Sequence, residues 1–81
     1  MFEVIGFKRN DFKSKDGTVI TGYTIYIAYP VQGKDAEGLA VERQYISDKR
    51  LASCNYTPAV GDKVQVGYNR FGKIVSIYKV G

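Results

Sequence analysis

The chain has no histidine and no tryptophan, one cysteine and two prolines among its 81 residues. Without histidine, Ser-His-Asp and Cys-His nucleophilic catalysis and histidine-held metals are excluded. A lone thiol, Cys54, builds neither an internal disulfide framework nor a cysteine-based zinc site. It has no histidine or obvious helix N-terminus to activate it, and reads as a small buried or half-buried residue. No apolar run approaches the roughly 20 residues of a membrane-crossing helix. Met1-Phe2-Glu3-Val4 lacks the charged and apolar regions of a secretory signal. A phosphate-cradling glycine motif is missing, and Asp35 and Glu37 stand in a polar loop without a partner base. The expectation is a cytoplasmic domain, not an enzyme, with no metal, no cofactor, no membrane partner and no small-molecule substrate.

What is present is a single domain, residues 1–81, too short to divide into two cores. Its 44% hydrophobic content is that of a folded chain. Twelve Lys and Arg against eight Asp and Glu leave +4, which favours an anionic partner. The aromatics are seven Tyr and four Phe.

Alternation and turn chemistry predict five strands. The first runs from residue 2 to residue 9 or 12. Ser14-Lys15-Asp16-Gly17 is a hairpin turn, since Asp-Gly supplies the positive φ of tight β-connections. Residues 18–29 form a long, β-branched and aromatic second strand. Val19, Thr21, Tyr23, Ile25, Ile27 and Tyr29 share one face; Thr18, Ile20, Gly22, Thr24, Tyr26 and Ala28 share the other. Gly22 is the expected place for a bulge or kink. Pro30 ends the strand, and residues 31–38 are a polar loop. Residues 39–47 make a third strand with Leu39, Val41, Arg43 and Tyr45 on one face. Ser47 or Asp48 caps a short helical turn over residues 49–52. Residues 62–68 and 73–80 are the fourth and fifth strands, joined by the tight turn Asn69-Arg70-Phe71-Gly72. The fold class is therefore all-β, a five-stranded OB-fold-like barrel with one short helical turn between strands three and four. An SH3-like barrel is the alternative, because five short strands with glycine-rich turns serve both.

Three constellations carry chemistry. Lys8, Arg9, Lys13 and Lys15 gather on the first hairpin, opposed by Asp11 and Asp16; they read either as a phosphate-attracting projection or as a solvated turn. Exposed tyrosines on a β-surface stack on unpaired bases, though most of the seven suit a half-buried barrel position. Tyr23 and Tyr26, on opposite faces, are the candidates. Phe71, flanked by Arg70, Gly72 and Lys73, has little core to enter from a turn tip, and reads either as reaching a ligand or another subunit or as folding back onto the barrel mouth. Arg43, Lys49, Arg50, Lys73 and Lys79 form a further set able to line a sugar-phosphate track, diluted by Glu42 and Asp48.

The segment Phe12-Lys13-Ser14-Lys15-Asp16-Gly17, the strand carrying Gly22-Tyr23-Thr24-Ile25, and Tyr56-Thr57-Pro58-Ala59-Val60-Gly61 leading to Arg70-Phe71-Gly72 resemble the gene V protein family. These are the single-stranded-DNA-binding proteins of filamentous bacteriophages. The resemblance implies a small OB-fold with a DNA-binding wing and a dimer hairpin. Lys15 would be the wing cation, Tyr23 the strand aromatic and Phe71 the hairpin-tip aromatic, with Arg43 and Lys79 as cations of the third and last strands. Thr21 stands where the family carries a further basic residue. A homodimer would coat single-stranded DNA, or RNA, without sequence preference, in phage, prophage or plasmid replication. The expected nucleic-acid contacts are Lys13, Lys15, Tyr23, Tyr26, Arg43, Arg70, Phe71, Lys73 and Lys79. The alternative function is a small β-barrel protein-interaction module using the Phe71 hairpin.

Overall fold

β-Branched and aromatic residues alternating with polar ones, punctuated by glycine turns, favour strands over helices. The computed structural model describes residues 2–80. Its strands are β1 (Phe2–Arg9), β2 (Phe12–Lys13), β3 (Val19–Ile20), β4 (Gly22–Pro30), β5 (Leu39–Ser47), β6 (Lys63–Tyr68) and β7 (Ile74–Lys79), with one helix, α1 (Asp48–Ser53). A five-stranded antiparallel sheet runs β5-β4-β1-β6-β7, and β2 pairs with β3.

The β2–β3 pairs, Phe12 with Ile20 and Lys13 with Val19, keep the register of Lys8 with Thr24 and Arg9 with Tyr23. Residues 2–30 therefore fold as one long hairpin. The second strand expected over residues 18–29 is broken at Thr21, beside Gly22. A Cβ on Gly22 would collide with the Ile46 carbonyl oxygen and lie 2.8 Å from the Ser47 Cα, so only glycine lets β5 approach there. Past Asn10 the arm is backed by no core, and the molecule measures 48 × 27 × 22 Å.

The ladder slips by one residue in β1. Val4 faces Ile27, but Gly6 faces Tyr26, leaving Ile5 as an inserted bulge residue. Because side chains alternate, one extra residue turns everything after it to the opposite face. Lys8 and Asn10 thus share the outer face with Glu3, while Phe7 and Arg9 share the inner face with Val4.

The inner face builds the core. Val4, Ile25, Ile27, Ile46, Leu51, Tyr56, Val64, Ile74 and Ile77 cluster there, with Phe2, Tyr23, Cys54 and Val66 against them. Each fully buried Ile or Val contributes about 1.5–3 kcal/mol. Helix α1 is too short to persist alone. Ser47 Oγ caps it, accepting from the Arg50 N–H at 3.2 Å, and buried Leu51 anchors it in the core.

The sheet does not close into the expected barrel. Its edge strands β5 and β7 share no ladder. The reason lies in what occupies the seam: α1 rests against β4, β5 and β7. Side chains bridge the opening instead of backbone. Arg50 Nη1 donates to the Val75 carbonyl at 3.4 Å, where Val75 is itself a bulge residue in β7. The Tyr68 hydroxyl donates to Glu42 Oε2 at 2.8 Å. Burial, then the Glu42 carboxylate, raises the Tyr68 pKa above its ordinary value.

Candidate nucleic-acid interface

The two ladders of β4 place side chains in rows across the outer face. Glu3, Ala28 and Val41 form one row, Gly6, Tyr26 and Arg43 the next, then Lys8, Thr24 and Tyr45. Thr24 is small and only 5% exposed, while its neighbours are large. An open depression of about 430 Å³ results, lined by Lys8, Asn10, Thr24, Arg43 and Tyr45. Asn10 Nδ2 donates to Thr24 Oγ1 at 3.0 Å, fixing the amide at its rim.

The aromatics of this face support one another. Tyr26 lies over Gly6, where an added Cβ would sit 3.7 Å from its ring. Tyr45 meets Phe12 with ring centroids 5.3 Å apart and tilted 59°. Phe12 is 46% exposed, so this pair joins the sheet face to the projecting arm. The Tyr45 hydroxyl is buried without a hydrogen-bond partner among the described residues, and burial raises its pKa.

Cations divide into held and unheld. Lys63 pairs with Glu3, and Lys79 Nζ lies 3.7 Å from Asp62. Arg9 donates from both terminal nitrogens to Asp48, at 2.9 and 2.7 Å, and its Nε lies 3.1 Å from Asp11. This pairing raises the Arg9 pKa; Arg9, then Thr21, holds the Asp48 carboxyl below its ordinary value. The Asp48 N–H also donates to the Thr21 carbonyl at 2.9 Å. One residue of α1 thus grips the root of the arm on both strands. Of the cations without a salt-bridge partner among the described residues, Lys8, Lys13, Lys15 and Arg43 lie on the arm or the face that leads to it, whereas Lys34, Lys49, Arg50, Arg70 and Lys73 lie elsewhere.

The arm ends in a five-residue turn. The Ser14 N–H donates to the Thr18 carbonyl at 2.8 Å and the Gly17 N–H to the Ser14 carbonyl at 3.0 Å, with Gly17 at φ +89°. Asp16 Oδ1 accepts from the Ser14 hydroxyl and from the Thr18 N–H, which lowers its pKa to about 2. Lys15 sits exposed at the apex.

No family model, curated protein or solved structure matches this chain.

The expected contacts fall into separate groups. Tyr26 and Arg43 are directly opposed on the outer face; Lys13, opposite Val19, continues the inner-face row of Arg9 into the arm, and Lys15 stands at the arm's apex. Tyr23 lies on the inner face, half-buried, with the Arg9 guanidinium 5.1 Å above its ring and Phe7 at its edge. Arg70, Phe71 and Lys73 occupy the β6–β7 turn, where the Arg70 guanidinium stands 5.0 Å from the Phe71 ring. Lys79 is engaged by Asp62 on β7. Asn10, Phe12, Tyr45 and Lys8 were not among the expected contacts, yet they line the depression or its rim. The spacing of Arg43 and Tyr45 already places them on one face; Lys8, Asn10 and Phe12 need the Ile5 bulge, which nothing local announces.

Proposed function

We propose that this is a non-catalytic, sequence-independent single-stranded-DNA-binding protein. The observation that carries the reading is the convergence of unpaired cations with partly exposed aromatics on one sheet face continuous with a basic arm. Cations attract the sugar-phosphate backbone. Exposed rings stack on unpaired bases for about 1–3 kcal/mol each, whatever the base. The sheet order supports an OB-like architecture. With β1–β2 and β3–β4 taken as two long strands, it runs third-second-first-fourth-fifth, an open order with its edges at the third and fifth members; the OB-fold is itself a partly open barrel. Such a protein would coat strands in phage, prophage or plasmid replication in a bacterial cytoplasm, as the gene V resemblance implies. A homodimer would use the β6–β7 hairpin.

Titration with oligo-dT at low and high salt tests the reading. Micromolar or tighter binding with a negative salt slope is expected; no binding at low salt sinks it. One observation favours a second reading, a protein-interaction module: Phe71 is 72% exposed at a turn tip. That reading is preferred if oligo-dT fails to bind while Phe71→Ala changes the oligomer size.

A further inference from the structure

Lys8 and Arg43 stand on the two strands that flank β4, diagonally across it: Lys8 is opposite Thr24, and Arg43 is opposite Tyr26 in the adjacent row. Neighbouring strands are spaced about 4.8 Å, so the two backbones are about 10 Å apart across the sheet. Both side chains line the same depression, over a buried threonine too short to fill it. Neither has a carboxylate partner among the described residues, unlike Arg9, Lys63 and Lys79. Lys and Arg offer donors only, which suits an oxyanion. The adjoining Phe12–Tyr45 pair, at 5.3 Å between centroids, leaves no gap for a third ring. Phe12 remains partly exposed at the open end of that pair. Asn10, whose amide nitrogen is committed to Thr24, keeps its Oδ1 without a donor among the described residues.

We infer that this depression holds one nucleotide unit of a bound strand. Its phosphate lies above Thr24 between Lys8 and Arg43, and its base stacks on the outward side of Phe12. The inference rests on the single-strand reading and narrows it to a subsite. Asn10 Oδ1 accepts from the base; every base carries at least one N–H, so the subsite tolerates all of them. The two cations share one phosphate rather than taking one each.

Sharing one phosphate sets the size of the salt effect. Each phosphate neutralised on a single strand contributes about 0.7 to the slope of log affinity against log salt. The slope is measured with oligo-dT for the intact protein, for Lys8→Ala, Arg43→Ala and the double variant, and for Lys34→Ala, which removes the same charge from a distant loop. The expected result is a slope reduced by about 0.7 or less in either single variant and by no more than about 0.7 in the double. Lys34→Ala leaves it unchanged. Phe12→Ala weakens binding about tenfold while keeping the slope, because stacking releases no counterions. Thermal melting of each variant reports that it folds, and dTMP titrated into the intact protein shifts the Thr24 and Tyr45 amide resonances. Strong binding with a slope that the double variant leaves unchanged or lowers by about 1.4, or that Lys34→Ala lowers equally, overturns the subsite and leaves the single-strand reading standing. Failure of the intact protein to bind oligo-dT overturns both.

Discussion

The arm turn at residues 14–18 and the β6–β7 turn at residues 69–73 are the same backbone solution used twice. In each, the first residue's N–H bonds the fifth residue's carbonyl, the fourth residue's N–H bonds the first residue's carbonyl, and the fourth residue is a glycine at positive φ. In each, a side-chain oxygen caps the loop: Asp16 Oδ1 in the arm, Asn69 Oδ1 in the other, the latter accepting from the Phe71 and Lys73 N–H groups at 2.9 and 3.0 Å. They differ in what lies beneath them and what they carry. The β6–β7 turn rises from strands holding Val64, Ile74 and Ile77 in the core, and presents Arg70 and Phe71. The arm stands on two-residue ladders beyond the core and presents Lys15 and Asp16. Turn geometry sets where a hairpin reverses, whereas its support decides how firmly the tip is held.

The comparison breaks hardest at the glycines nearer the sheet. Gly22→Ala drives a Cβ into the backbone of Ile46 and Ser47, which cannot step aside. A loss of about 2 kcal/mol or more is expected, read by denaturant unfolding. Gly67→Ala meets the Ser76 Oγ at 2.5 Å, and a serine can change rotamer, so the cost is expected to stay below about 1 kcal/mol. Equal losses would contradict this account of the arm root.

A middling effect tests how the arm is held. Asp48→Asn removes the charge that Arg9 grips while keeping a similar shape. Amide hydrogen exchange across β2 and β3 is expected to quicken, with β6 and β7 unchanged. Unaltered exchange in β2 and β3 would show that Asp48 does not steady the arm.

The smallest effect separates the two caps by pH. Asp16 has its folded pKa depressed to about 2 by Ser14 and Thr18. Its contribution is therefore present above the ordinary carboxylate range and is lost as pH falls through about 2. The Asn69 amide does not titrate. Acidification is expected to shift the Thr18 amide resonance before that of Phe71; simultaneous movement of both would deny the distinction.

Much of this was readable along the chain. Asp16-Gly17 and Asn69 followed three residues later by Gly72 specify their turns through φ and side-chain capping, which are properties of a few consecutive residues. Leu39, Val41, Arg43 and Tyr45 share a face because strand geometry alternates strictly. The paired fates of Tyr23 and Tyr26 were half readable: their opposite faces follow from alternation, but which face is core does not. The open seam was unreadable, since it depends on α1 reaching the gap between β5 and β7.

Lys8 and Arg9 mark the boundary most sharply. Adjacent cations in a basic hairpin look interchangeable in one dimension. The bulge at Ile5 turns Arg9 inward to Tyr23 and to Asp48, 39 residues away, and leaves Lys8 outward beside Thr24. Strand periodicity, turn positions and the excess of positive charge are local or compositional, so the order of residues settles them alone. Which cations are already held, and which ring is left to meet a ligand, follows from one inserted residue and from partners distant in the chain, because register and burial are set by what lies opposite.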